Sequence, residues 1–371
     1  MTPMFSQRLD RVRTLMAEQQ VDVLLLSVGA DLPYFCGYEA MPLERLTMLV
    51  VPREGDTRLI VPRLEAPRVV ERPGVFEVVA WDETDDPIDL ACGLIGPVST
   101  AAIGDHTWAG FLVDLMKVLP AVEFRRASEL TSPIRQIKDT AEVESLRAAA
   151  AAADRVAVDL RSGGIELVGR TEAEVSAELG RRLLAEGHQR VNFAIVAAGE
   201  NAASPHHEAG ERVIQPGEVV LCDFGGTMAD ADGVGYCSDI TRCVHLGEPP
   251  ADLVEAYDVL FEAQAAQVAA AQVGRPCQEV DRVGRSMIAD AGFGDYFIHR
   301  TGHGIGTEAH EDPYIVEGNT LELRPGHAFS IEPGIYMPGR WGLRLEDIVV
   351  AASDGPDNLT TTDHRLAVID A

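Results

Sequence analysis

Ile214-Gln-Pro216-Gly217-Glu-Val-Val-Leu-Cys-Asp223-Phe-Gly225 and Leu323-Arg-Pro325-Gly326-His-Ala-Phe-Ser-Ile-Glu332-Pro-Gly334 are two copies of one pattern. In each, a Pro-Gly turn launches an apolar strand, and seven residues after the proline (216 + 7 = 223, 325 + 7 = 332) the strand carries one carboxylate. Asp223 and Glu332 interrupt runs that should be buried, where an unpaired charge costs several kcal/mol. A second acid follows each of them, Asp239 in Ser-Asp-Ile-Thr-Arg and Glu346 in Arg-Leu-Glu-Asp. Two half-domains with equivalent carboxylates predict a pseudo-twofold sheet with four acids meeting at its middle.

The rest of the chain supplies two domains. Residues 1–131 alternate helical and extended patterns. Leu9, Val12, Leu15 and Met16 share one helical face, Val21–Val28, Leu46–Val51, Arg58–Val61 and Phe76–Trp81 are strand-like, and Trp108–Leu119 is a second helix. This predicts a small α/β domain. Around Ser132-Pro133 the texture changes, and residues 132–371 open with an Ala-rich helix from Lys138 to Val156, capped by Asp139 or Thr140. Thr171-Glu-Ala-Glu174 matches a capping box and opens the next helix. Helices followed by strands, twice over, make the second domain α+β.

Four acids are a small part of the acidic surplus, since 31 Lys+Arg against 59 Asp+Glu gives 31 − 59 = −28. That charge, with no Lys/Arg run, excludes nucleic acid as a partner. Lysine occurs twice, at Lys117 and Lys138, so nearly all the positive charge is arginine. No stretch approaches the ~18–20 apolar residues of a membrane helix, and the first residues are not patterned as a signal peptide. Six cysteines without a Cys-x-x-Cys spacing read as reduced thiols. A cytoplasmic protein, bound to neither membrane nor nucleic acid, is the expectation.

Converging carboxylates repel one another unless something positive sits between them. Shared protons or arginines can serve, and metal ions serve best. A histidine cluster lies just before the second acid pair, with Gly302 and Gly304 flanking His303 so that the backbone can turn an imidazole inward and another strand can approach. Four carboxylates and one imidazole form an oxygen-rich site that suits Mn²⁺ first, with Co²⁺, Zn²⁺ or Fe²⁺ as the other choices. They suffice to bridge two ions about 3.5 Å apart, the arrangement used for hydrolysis.

Phe-Ala-Ile-Val-Ala-Ala-Gly-Glu-Asn, Pro205-His206-His207, Leu-Cys-Asp-Phe-Gly-Gly, Ser-Asp-Ile-Thr-Arg, the His299 to Pro313 run, Ser-Ile-Glu-Pro-Gly-Ile-Tyr and Arg-Leu-Glu-Asp stand in this order. Together they resemble the pita-bread metallopeptidases, and within them Xaa-Pro dipeptidase (prolidase) and aminopeptidase P. The resemblance implies a pita-bread domain at 132–371. It also implies a creatinase-like N-terminal domain at 1–131, used for substrate gating and oligomer contacts. By it, Asp223, Asp239, His303, Glu332 and Glu346 are ligands of two divalent ions, with Asp239 and Glu346 touching both. Glu332 is also the general base on a metal-bridged hydroxide's water, and His310 steadies the oxyanion. His206 and His299 shape the proline side, and Arg344 orients the ligand carboxylates.

The implied activity is hydrolysis of the bond before proline in a dipeptide, with aminopeptidase action on longer peptides as the alternative. A metal-dependent hydrolase or lyase of a small non-peptide substrate and a non-catalytic binding module are the further alternatives within this fold. The family commonly forms homodimers. For the acids, the bland alternative is ion pairing with Arg242, Arg300 or Arg344, and His207, His245 and His327 read as surface or satisfied histidines. Two features depart from the family pattern. Residues 224–238 form an extended loop, in which Asp230 and Asp232 resemble a calcium loop weakly. Tyr314 to Leu323 contains no Lys or Arg, whereas many dipeptidases of the family carry there a base that clamps the substrate carboxylate. Arg324, Arg340 or an arginine of the first domain would have to substitute.

Overall fold

Phe5, Leu9, Val12 and Met16 recur at helical spacing and form the buried face of α1 (Pro3–Glu18). The structure is a computed structural model that describes residues 3–370. It divides into two units, the first running to Arg135 and including Asp230–Gly235, the second taking Gln136–Ala229 and the chain from Tyr236 on. In the first unit α1 is followed by β1 (Val23–Leu26), α2 (Asp31–Cys36), β2 (Met48–Pro52), β3 (Arg58–Pro62) and β4 (Glu77–Trp81). Then come α3 (Pro87–Ile95), β5 (Thr100–Ile103), α4 (Ala109–Val118), β6 (Glu123–Arg126) and α5 (Ser128–Arg135). The strands join in the order β4-β3-β2-β1-β5-β6. One sheet face, with Val23, Leu25, Ile60, Trp81 and Ile103, packs on Ile88, Ala91 and Leu115. The hydrophobic pattern does not predict α2 and α3. α2 is too short to show a period, and α3 is started by the Asp86 side chain, which accepts from the N–H groups of Ile88 and Asp89.

The second unit opens with α6 (Thr140–Arg161) and α7 (Glu172–Ala185). Both start at capping boxes, Asp139 with Glu142 and Thr171 with Glu174, and α6 runs past Val156 to Arg161. There follow β7 (Arg190–Ala198), β8 (Val219–Ala229), β9 (Gly235–Cys237) and β10 (Ile240–Leu246). Two helices, α8 (Ala251–Ala270) and α9 (Cys277–Asp290), separate these from β11 (Gly302–Gly304), β12 (Glu311–Ile315) and β13 (Ala328–Ile331). The last strands are β14 (Gly334–Met337), β15 (Trp341–Arg344), β16 (Asp347–Ala352), β17 (Gly355–Asn358) and β18 (Ala367–Ile369).

The internal echo is a structural repeat. β8 is antiparallel to both β7 and β10, as β13 is to both β11 and β16. In each half one acid lies on or just past the middle strand, and the other stands immediately before the third. The repeat builds two sheets, β18-β10-β8-β7 with β9 on β8, and β12-β11-β13-β16-β17, rather than one continuous sheet. Where they meet, the Glu346 N–H reaches the Thr241 carbonyl at 3.4 Å. The stretch expected as an extended loop after Phe224 is largely hairpin, because β8 continues to Ala229 and β9 returns along it. Asp230 Oδ1 accepts from the N–H groups of Asp232 and Val234 and closes the turn, so one of its carboxylate oxygens is spent on backbone. Among the described residues, no helix is long and apolar enough to cross a membrane.

Arg242 holds the two halves together and is the largest fully buried side chain. It pairs with Asp347 at 2.8 Å and donates to the carbonyls of Thr241, Glu346 and Thr362. Arg242→Met leaves Asp347 partly uncompensated and should destabilise the second unit by about 3–5 kcal/mol. Urea unfolding followed by fluorescence checks this, and a loss below about 1 kcal/mol would show that the pair is dispensable.

Candidate metal centre

Period-two alternation aims the acids. On β8 the even residues Val220, Cys222 and Phe224 join the core beneath α6 and α7, so Cys222 packs inside and is turned away from the site. Val219 and Leu221 face the other way, in the core with Ile335 and Leu343, and Asp223 follows them on that face. Thr241 pairs with Asp223 across the ladder, which puts Thr241 and Asp239 on the same face. In the other half Phe329, Ile331, Val349 and Ala351 fill a core of their own, which leaves Ser330, Glu332 and Glu346 for the opposite side. Two strand pairs thus bring four carboxylates to one cavity of about 590 Å³. Asp223, Asp239, Glu332, Glu346, His303, His310, His206, His299 and Arg344 all line it. Every residue singled out from the sequence for this site is therefore brought together.

His303 sits between the acids because the backbone beside it is bare. A Cβ on Gly302 would stand 1.8 Å from the Ser330 carbonyl oxygen, so only glycine lets β11 and β13 approach this closely. The Nδ1 of His303 meets the Gly304 carbonyl at 3.1 Å and must carry the proton there. Its Nε2 is left facing Glu332 Oε1 at 3.2 Å and Asp239 Oδ2 at 3.7 Å. Between a ring nitrogen and two carboxylates a positive species has to stand, a proton or a metal ion.

A hydrogen-bond network holds the acids in place. Arg344 Nη2 meets Asp223 Oδ2 at 2.5 Å, its Nη1 donates to Tyr336 Oη at 2.8 Å, and its Nε donates to Thr241 Oγ1 at 3.2 Å. Thr241 passes its own hydrogen to Glu346 Oε2 at 2.7 Å, and Ser330 Oγ donates to Glu332 Oε1 at 3.1 Å. Tyr336 in turn donates to His299 Nε2 at 2.8 Å, while His299 Nδ1 donates to the Arg300 carbonyl at 2.7 Å. Both ring nitrogens of His299 are engaged, so it offers the cavity a fixed wall. Tyr336, Thr241 and Ser330 lie within the quoted motifs, but the sequence by itself assigned them no role. Their place in those motifs was the usable signal, together with Gly334, whose Cβ would lie 2.4 Å from the Tyr336 hydroxyl.

Of the expected bland pairings, Arg344 meets Asp223, Arg242 meets Asp347 instead, and Arg300 pairs with none of the acids. His245 and His327 are buried, and His207 Nε2 meets the buried Glu172 at 2.8 Å, so all three are packed into the protein and not free at its surface.

The donor set suits divalent cations. Oxygen and nitrogen atoms of Asp223, Asp239 and Glu346 lie within 4.8 Å of one another, as do those of His303, Glu332 and Glu346. Glu346 belongs to both groups, so two neighbouring positions share a carboxylate. A third group of Asp239, His303 and His310 overlaps them. Asp223 Oδ1 and Asp239 Oδ1 are buried without any hydrogen-bond partner, as ligand oxygens reserved for a cation would be. Burial pushes the carboxyls of Asp239 and Glu346 well above their usual range, helped by neighbouring acids, and raises Asp223 despite Arg344. Burial also acts upward on Glu332, but the hydrogen bond and charge of His303, with His299 and Arg344, bring it down to about 2. Glu332 is thus the acid that keeps its charge. Burial lowers His310 to about 4, with the nearby charges of His303 and Arg300 acting in the same direction.

Residues 144–353 match the model of metallopeptidase family M24, and residues 8–137 match the creatinase/prolidase N-terminal domain. A probable dipeptidase PepE of Mycobacterium tuberculosis is 40% identical over 372 residues, covering 98% of this chain and 96% of the relative. An Xaa-Pro dipeptidase of Lactobacillus helveticus is 35% identical over 375 residues, covering 97% and 98%. The crystal structure of a recombinant prolidase from Thermococcus sibiricus superposes with a TM-score of 0.92 at 32% identity, covering 98% and 99%.

Acid protonates the same oxygens that a cation needs. Asp223, Asp239 and Glu346 bind protons more tightly in the folded, metal-free protein than an unfolded carboxylate does, so that form should lose stability as pH rises above about 4. Metal must displace those protons, so apparent Mn²⁺ affinity should climb with pH from about 5 upward. Calorimetric titration in buffers of different ionisation enthalpy reads both affinity and proton release. An affinity independent of pH, without proton release, would exclude these carboxylates as the ligands.

Proposed function

This chain belongs to metallopeptidase family M24, and from that premise we propose that it is a two-metal exopeptidase that cleaves Xaa-Pro dipeptides at the bond before proline. The observation that supports this reading most is the pair of donor groups sharing Glu346 in the same cavity as His310, His206 and His299. Asp223, Asp239, His303, Glu332 and Glu346 would hold the ions, with Mn²⁺ first among the candidates. When bound, the two ions supply charge that polarises the scissile carbonyl and acidifies water.

The chain's own residues do the rest. Glu332, the acid that stays ionised and is steadied by Ser330, takes the proton of the attacking water. His310 is neutral at pH 7 and keeps one ring N–H to donate toward the developing oxyanion. Arg344 and Thr241 hold Asp223 and Glu346 in register. The bond before proline is a tertiary amide without an N–H, so recognition has to come from shape. Phe193, Ile195 and Pro205 give the cavity an apolar part, and His299 adds a wall that cannot rotate, which together suit a pyrrolidine ring.

Glu332→Gln removes the base and should lower kcat about 10²–10⁴-fold, with the fold kept. Thermal unfolding and elemental analysis of the variant check that its fold and metal content survive. Turnover close to wild type would remove Glu332 from the mechanism. The second reading, an Xaa-Pro aminopeptidase, is favoured by the lack of a base between Tyr314 and Leu323. Assays on Ala-Pro and Ala-Pro-Ala separate the two. Faster cleavage of Ala-Pro is expected, and equal or faster cleavage of the tripeptide would favour the aminopeptidase.

A further inference from the structure

Arg300 is a charge in the cavity that the metal centre does not use. It lines the same space as the four carboxylates. Among the described residues its guanidinium makes no hydrogen bond and no ion pair, and it rests over the Tyr314 ring, 4.3 Å from the centroid. The other arginine of the cavity, Arg344, is fully committed to Asp223, Tyr336, Thr241 and the Pro205 carbonyl. A half-buried cation resting on an aromatic face is held weakly, well short of what a carboxylate returns in a bidentate pair. The group is therefore available to an anion that arrives with the substrate.

Its backbone is held ready. Arg285 Nη2 donates to the His299 carbonyl at 2.7 Å, and His299 Nδ1 donates to the Arg300 carbonyl at 2.7 Å. The next residue is anchored as well, the Thr301 N–H meeting the Ile315 carbonyl at 3.0 Å. The Cα of Arg300 thus sits in a bonded frame, while Tyr314 limits where its side chain can swing. The other arginines that could substitute for a missing base are elsewhere. Arg324 is exposed and does not line this cavity, and Arg340 pairs with Asp252 beside a separate one.

We infer that Arg300 binds the free C-terminal carboxylate of a dipeptide substrate and that Tyr314 holds the guanidinium in reserve between turnovers. This rests on the exopeptidase reading of the cavity and names the residue that selects dipeptides within it. In a longer peptide the same place is taken by a neutral amide, which leaves the guanidinium unmatched. Selection of dipeptides therefore passes from the strand after His310, where no base stands, to the residue after His299.

The test uses the full-length, Mn²⁺-loaded protein with Ala-Pro and its carboxamide, which differ only in the terminal charge. The wild type should prefer the acid, and Arg300→Ala should lose about 10- to 150-fold in kcat/KM on Ala-Pro, the range of a charged hydrogen bond, mainly through KM. Its loss on the carboxamide should be at least about tenfold smaller. Arg300→Lys should recover part of the loss, and added guanidinium ion should rescue Arg300→Ala on the acid and not on the amide. Equal losses on both substrates, or no loss on Ala-Pro, would overturn the assignment while leaving the exopeptidase reading intact. If the wild type cleaves neither compound, that reading fails and the clamp falls with it. Should Arg300→Ala not fold, wild-type indifference between acid and amide overturns the assignment equally.

Discussion

Like charges buried together cannot all persist without a counter-charge, and the second unit of this protein is arranged around that constraint. Glu346 and Asp347 show how locally it is met. They are neighbours in sequence, both fully buried, and they point to opposite faces. Asp347 is surrounded by Arg242, His364, Gln264 and Asn358. Burial alone would raise its carboxyl, yet Arg242 and His364 bring it down to about 2. Glu346 receives one hydroxyl, from Thr241, and sits with three other acids, so burial and its neighbours carry it well above the usual range. One of the two acids is satisfied by protein. The other is not, and it is the one proposed above as a metal ligand, in a chain that belongs to a family of metallopeptidases.

The polar frame around the acids is continuous. From Asp223 it passes through Arg344 to Tyr336, from Tyr336 to His299, and from His299 to the backbone of Arg300. Each link fixes the role of the next. Tyr336 accepts from Arg344 and so must donate to His299, which in turn must donate from Nδ1. A carboxylate and the loop that carries Arg300 are thereby oriented by a single chain of hydrogen bonds. Gly334 makes the chain possible, since any side chain there would displace the Tyr336 hydroxyl.

Much of this is legible in the sequence. The two Pro-Gly strands, the acids seven residues on, the acids that follow them and the capping boxes of α6 and α7 are local patterns, and each has a local physical cause. The hairpin of β8 and β9 was not legible, because a strand continuing into a Gly-Asp turn looks the same as a long loop until its partner is known. Nor was the division into two sheets, which depends on where ladders stop pairing and not on any residue pattern. Tyr336, Thr241 and Ser330 stand within quoted motifs but are common residue types, and their roles come from which carboxylate or guanidinium lies within 3.2 Å.

The sequence by itself determined which acids must be buried, because an acid inside an apolar strand has to be answered by something, and it determined that there are four of them in two equivalent halves. Only the tertiary structure decided which of those acids are answered by protein. Arg344 reaches Asp223 across 121 residues and Arg242 reaches Asp347 across 105, whereas Arg300, three residues from His303, pairs with no acid among the described residues. Proximity in the chain says little about proximity of charges once strands from both halves are stacked. Strand period sets the direction of a side chain, but sheet assembly sets what it meets.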